Sequence, residues 1–319
     1  MQIYLPVAEM TINAGLLLAM GLAVGVLSGL FGIGGGFIVT PMLIFLGVPA
    51  AIAVGTGAAQ VAASSVSGAT THWFRRNVDV KMAMILLGGG IVGSLLGVVM
   101  QRWLKAIGQL ELFISFIYVV LLGTVGTLML IESIEALRRR RNAGLKPGGN
   151  LPVTGRNAIG AGRGSHHNWI QRLPFKQRFP ASKLYISAIP PIAIGLFVGW
   201  LTAIMGVGGG FLMVPALIYL LRMPTKIVIG TSVFQIMFVT AFTTVLQSWQ
   251  NHSVDLLLGF PLMVGGVIGA QYGVRLGQNL NAEQLRIFLA LLVLGVGIRM
   301  LFDLALPPRE IYSIETNRK

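Results

Sequence analysis

The 319-residue chain is 55% hydrophobic and 11% charged, with a net charge of +14 and no cysteine. A soluble domain would hold about 25% charged residues, so this balance, with a mean hydropathy of +0.79, excludes a soluble globular protein. The missing cysteines exclude disulfides, thiolate metal sites and Cys nucleophiles.

The N-terminus, MQIYLPVAEM, lacks the basic stretch of a cleaved signal peptide, so the first apolar run is expected to be kept. Apolar segments then fall at 12–31, 37–47, 51–73, 82–102 and 110–132, and again at 184–204, 211–221, 226–249, 255–276 and 284–306. From Met10 to Phe74 there is no Asp, Glu, Lys or Arg. A spanning helix needs about 20 such residues. The alternating segments of about ten residues that mark a transmembrane barrel are absent. The expected fold is an all-α polytopic integral membrane protein with about eight spans by hydropathy. The segments 37–47 and 211–221 are too short to cross a core of about 30 Å at 1.5 Å per residue. They are expected to be arms of re-entrant hairpins.

The first organising motif is FGIGGGFIVTP, from Phe31 to Pro41, and MGVGGGFLMVP repeats it from Met205 to Pro215. Each Gly in a helix interior costs roughly 1 kcal/mol relative to Ala, so three in a row mark a broken helix. Gly34, Gly35 and Gly36 match Gly208, Gly209 and Gly210. Gly55-Thr56 matches Gly230-Thr231, Gln60 matches Gln235, and Asp79 matches Asp255. Gly89, Gly93 and Gly97 match Gly265, Gly269 and Gly273. This four-residue spacing lets membrane helices approach closely and is expected to serve packing. The chain therefore divides into repeats at 12–132 and 184–306, a central segment at 133–183 and a polar tail at 307–319. Arg75, Arg76 and Lys81 follow the third segment, whereas its counterpart 250–255 has no Lys or Arg. Corresponding loops of unlike charge belong on opposite faces, which favours an inverted repeat over a parallel one.

The central segment is rich in Gly, Pro and basic residues and is expected to be largely disordered. It holds eleven of the 24 Lys and Arg between Arg138 and Lys183, which points to the cytoplasm. Orientation explains the positive charge better than nucleic acid does, because no base-reading fold is visible. The adjacent His166 and His167 lack Cys or carboxylate neighbours and read as a solvated loop, not a metal site.

No carboxylate falls in mid-membrane, although proton relays and most sodium sites need one. What remains is neutral: Thr56 and Gln60, and Thr231 and Gln235, each pair on one helical face. A helix restarting after three glycines presents free N–H groups and a partial positive charge, which suits phosphate, sulfate or carboxylate. The candidate binding residues are Gly34, Gly35, Gly36, Thr56, Gln60, Gly208, Gly209, Gly210, Thr231 and Gln235. His72 is a candidate proton site. No metal or cofactor is expected.

These paired glycine-triplet-to-proline motifs, with the Gly-Thr after each, resemble the sulfite exporter TauE/SafE family, also called TSUP permeases. The resemblance covers about 12–132 and 184–305. It implies a bacterial-type inner-membrane permease that moves sulfur-containing anions such as sulfite, organosulfonates or sulfoacetate, usually outward. The long basic loop departs from the compact family pattern. Two other readings stand beside it. A membrane-embedded enzyme would need a nucleophile–base pair or metal ligands, and no Asp or Glu lies one turn from His72. An assembly factor would use the basic loop for docking.

Overall fold

A computed structural model describes residues 2–31, 35–142, 176–179, 182, 184–221, 223–277 and 282–305. Gly34, residues 143–175 with His166 and His167, and the tail from 306 lie outside the described residues. Among those described, ten helices and two β-hairpins make up the fold. The first hairpin pairs β1 (Gln2–Leu5) with β2 (Met10–Asn13). It leads into α1 (Ala14–Phe31), α2 (Gly36–Phe45), α3 (Ala50–Phe74), α4 (Val80–Ala106) and α5 (Leu110–Asn142). The second pairs β3 (Lys176–Phe179) with β4 (Leu184–Ser187). It leads into α6 (Ile189–Met205), α7 (Gly210–Tyr219), α8 (Thr225–Leu246), α9 (Leu256–Gly277) and α10 (Ala282–Ala305). A π-turn, Gln247–Asn251, extends α8. Among the described residues, six helices are long and apolar enough to cross a membrane. With the shorter apolar α1 and α6, the total is eight. At ten residues each, α2 and α7 extend only about 15 Å.

Local chemistry sets the ends of these elements. Pro49 and Pro224 hold extended backbone before α3 and α8, and proline stands at the first turn of α6, where its missing N–H is harmless. Asn13 accepts the N–H of Gly15 at 3.0 Å to start α1. Ser187 accepts that of Ile189 at 3.2 Å to start α6. The hairpins were not expected from the sequence. Strand β3 (Lys176–Phe179) falls in the segment read as disordered, as do the last ten residues of α5, which stays helical through Asn142, whereas β4 (Leu184–Ser187) opens the second apolar set.

The glycine series decides how the helices pair. A Cβ on Gly21 would meet the Leu262 carbonyl at 2.6 Å, and those on Gly25 and Gly29 would strike the backbone at Gly266 and Ala270. Thus α1 and α9 run parallel at backbone contact. In the same way Gly89, Gly93 and Gly97 of α4 lie against Ile192, Leu196 and Trp200 of α6. In this parallel crossing, too, small residues allow the backbones to touch. Each first helix therefore packs on the fourth helix of the other half, not its own. The central pair is α3 with α8, and α5 packs on α10.

The two ends of the bundle follow from named contacts. Gly47, after α2, lies beside Met10 of the first hairpin, and the N–H of Val7 in that hairpin donates to Asp255 at the start of α9 at 3.1 Å. One end therefore holds the first hairpin, the turn at 46–49 and the start of α9. At the other, Asn77 after α3 meets Gly230 near the start of α8. Phe179 of the second hairpin clusters there with Leu221, Met223 and Met82. Hence α3 and α8 run antiparallel.

Asp79 and Asp255 are 2% and 0% exposed, and each joins three segments. Asp79 accepts from Met82 N–H at 3.1 Å, capping α4, and from Ser182 through its N–H at 3.1 Å and its hydroxyl at 2.6 Å. Asp255 accepts from the Leu257 and Leu258 N–H groups at 3.0 and 3.1 Å, and from Val7. Losing such a cap costs about 1 kcal/mol, and each stranded hairpin donor about 1–3 kcal/mol. Asp79→Ala and Asp255→Ala should therefore each lower stability by about 2–4 kcal/mol. Thermal unfolding of the purified protein in detergent checks this; unchanged midpoints in both variants would contradict it.

Candidate functional site

The two short helices start alike. Gly35 (φ 65°) and Gly209 (φ 68°) adopt left-handed conformations immediately before α2 and α7, and neither helix start has a side-chain cap. The Ile38 and Leu212 N–H groups bond back to Gly35 and Gly209 at 3.2 and 3.1 Å. The first N–H groups of both helices are left with no side chain bonded to them.

The breaks meet at the centre of the bundle. Gly36 lies against the Val207 carbonyl and Val61, and Gly208 lies against Val61 and Ile236. The rings of Phe37 and Phe211, one from each short helix, are 5.7 Å apart and tilted by 42°. Around this apolar centre the end of α6 is satisfied by side chains, as membrane depth requires. Tyr118 of α5 donates to the Met205 carbonyl at 2.6 Å, and Gln247 donates to the Ala203 carbonyl at 3.0 Å. Sequence reasoning missed both residues. Their partners are backbone atoms 87 and 44 residues away, and backbone atoms leave no pattern in a sequence.

The threonines and glutamines part company. Thr56 is fully buried, and its hydroxyl accepts the Asp255 N–H at 3.2 Å. Thr231 likewise accepts the Asp79 N–H at 3.0 Å. Each threonine thus ties α3 or α8 to a neighbouring helix start. Gln60 and Gln235, one turn on, are 0% and 1% exposed, and neither their amide nitrogens nor their oxygens have a hydrogen-bond partner. A buried group in that state costs about 1–3 kcal/mol. Gln60 lies against Gly266 of α9, and Gln235 against Gly90 of α4, where a Cβ would come within 2.5 and 2.8 Å of the amide nitrogen.

Each glutamine is close to its own break. Gly36 touches Val61, the residue after Gln60, and Gly208 touches Ile236, the residue after Gln235. Gly35 rests on Val24, beside the Gly25–Gly266 crossing, and Gly209 rests on Val198, beside the Gly199–Gly90 crossing. The structure thus brings Gly35 and Gly36 near Gln60 and Gly208 and Gly209 near Gln235, while Gly36 and Gly208 also touch Val207 and Val61 across the centre. His72 belongs to neither. It is twelve residues beyond Gln60, about 18 Å along α3, beside Gly230, and its buried Nδ1 has no partner.

Two grooves open elsewhere. One of about 680 Å³ is lined by Thr244, Ser248, Trp249 and His252, and one of about 300 Å³ lies between α4 and α6 at Gly88, Gly89 and Ile192. Neither touches a break or a glutamine.

Comparison with known proteins gives a consistent picture. The sequence model of the family described as "Sulfite exporter TauE/SafE" matches residues 17–300. The "Probable membrane transporter protein YjnA" of Bacillus subtilis is 28% identical over 291 residues, covering 89% of this chain and 98% of that protein. A "Probable membrane transporter protein" of Methanocaldococcus jannaschii is 25% identical over 304 residues, covering 90% and 94%. "Sulfite exporter TauE/SafE family protein 3" of Arabidopsis thaliana is 31% identical over 122 residues, covering 36% of this chain and 26% of that protein. No solved structure gives a significant match.

Proposed function

This chain belongs to the sulfite exporter TauE/SafE family of membrane transporters, and on that premise we propose that it is a permease for small oxyanions, foremost sulfite or an organosulfonate. One observation carries the reading. Two uncapped helix starts and two buried glutamines without partners lie in the interior of a membrane bundle, with neutral donors and, among the described residues, no carboxylate beside them. Helix N-termini attract anions, and glycine lets a ligand reach the backbone. The substrate-binding residues in this reading are Gly34–Gly36 and Gly208–Gly210 with Gln60 and Gln235. Thr56 and Thr231 hold the adjacent helix starts and so position the glutamines. The role is transport, not catalysis. The test is uptake and efflux in proteoliposomes across a panel of sulfur oxyanions. Absence of flux for every member would overturn the reading.

In the same reading the halves are an inverted repeat in a bacterial-type inner membrane. The end with the second hairpin carries Arg75, Arg76, Lys81, Arg178 and Arg275, against Arg102, Lys105 and Arg299 at the other. The positive-inside rule then makes the more basic end cytoplasmic, together with the 133–183 segment. Leu46 and Leu220 follow the short helices α2 and α7, and both are exposed. In this Cys-free chain, Leu46→Cys and Leu220→Cys should react with an impermeant maleimide from opposite sides of the membrane. Labelling of both from the same side would refute the inverted arrangement.

A further inference from the structure

We infer that the chain holds two substrate sites in series along the transport axis, one at each glycine break, and not a single central site. The inference rests on the permease reading and deepens it. The sites are the α2 start with Gln60 against Gly266, and the α7 start with Gln235 against Gly90.

Three observations support two sites. The glutamines face outward from the central α3–α8 pair, Gln60 toward α9 and Gln235 toward α4, so they do not point at a shared space. Around Gly36 and Gly208, where the two halves meet, the contacts are Val61, Val207, Ile236 and the methyl of Thr240, whose hydroxyl is already bonded to the Ile236 carbonyl. They also stand at different levels. Gln60 is ten residues into α3 and Gln235 ten residues into the antiparallel α8. Gly68 lies against Val233. This sets Gln235 level with the region of Val66, about 9 Å along the axis from Gln60 at 1.5 Å per residue. The Gln60 site is nearer the end with the first hairpin, and the Gln235 site nearer the more basic end.

Each site offers the same chemistry. The first N–H groups of a ten-residue helix and two amide hydrogens donate to an oxyanion, and the amide oxygen can accept from one that carries a proton. No cationic side chain is involved, so the anion can move on without breaking an ion pair. Each site is assembled from both halves of the chain, because α9 closes the Gln60 site and α4 the Gln235 site.

The test is equilibrium dialysis of the full-length protein in detergent with radiolabelled sulfite, and with sulfoacetate as a second probe. Wild type should bind two anions per chain. Gln60→Leu and Gln235→Leu should each bind one, and the double variant none. Leucine keeps the volume and removes a buried polar group that has no partner, which is neutral to stability or better. In proteoliposomes, Gln60→Leu should raise the half-saturating concentration by about tenfold for anion presented at the first-hairpin end only. Gln235→Leu should do so at the opposite end only. One anion per chain in wild type, lost in either single variant, overturns the two-site inference and leaves the permease intact. No binding of either probe, with no flux of any oxyanion, overturns the function itself and the inference with it.

Discussion

Leucine at Gly35 or Gly209 is expected to abolish anion flux while the protein still reaches the membrane. The left-handed backbone at these positions costs an L-residue roughly 1–2 kcal/mol. The steric cost is greater. A Cβ on Gly35 would sit 2.9 Å from the Ser28 Cβ and 3.0 Å from the Val24 Cγ1, and one on Gly209 would run into the Val198 side chain. The rest of a leucine side chain can be placed only by prising α1 from α2, or α6 from α7, or by covering the helix start proposed to receive the anion. Overpacking of this kind typically costs a further 1–3 kcal/mol, which a bundle of this size can survive. Gly88→Leu is the matched control, because a Cβ there meets nothing within 4 Å. It should transport like wild type. Flux through Gly35→Leu and Gly209→Leu equal to that of the control, at equal membrane abundance, would show that the breaks serve packing alone.

An imposed membrane potential should drive the preferred anion outward with no pH or sodium gradient. Moving one elementary charge through 100 mV is worth about 2.3 kcal/mol. At 1.4 kcal/mol per factor of ten, that favours efflux of a monovalent anion by roughly forty-fold per 100 mV. An exporter of such an anion in a cell that is negative inside needs no coupled ion. The buried carboxylates fit this account. Asp79 and Asp255 sit at opposite ends of the bundle, each oxygen already accepting from a backbone N–H or a serine hydroxyl. They stitch helix starts to hairpins and stand outside the row of glutamines and glycines. Liposome flux measured against an imposed potential checks the point. Transport that ignores the potential and follows a proton gradient would contradict it, and His72→Gln would then be the variant to compare.

Much of this protein was legible in its sequence. Nine of the ten apolar segments correspond to helices within about five residues, because a helix in lipid must be apolar along its exposed length; α5 alone runs past its segment, to Asn142. Gly34–Gly36 and Gly208–Gly210 announced the breaks, since few sequences place three glycines in an apolar run. The four-residue glycine spacing of α4 and α9 announced close packing for the same kind of local reason. Only the tertiary structure decided the partners. Each glycine ridge meets the first helix of the opposite half, so α1 crosses Gly266 and α6 crosses Gly90. Spacing along one helix says that a partner approaches, not which one. Thr56 and Gln60 looked equivalent because both are neutral, polar and on one helical face. The fold separates them: Thr56 receives an N–H from Asp255, 199 residues away, and Gln60 receives nothing. The hairpins at 2–13 and 176–187 were illegible for a related reason. A lone two-stranded hairpin is marginal in water, and these are held by carboxylates 248 and 103 residues distant. Local sequence encodes where a helix runs, how it breaks and how closely it can be approached. Which distant group satisfies a buried hydroxyl, amide or carboxylate is settled only when the chain has closed around it.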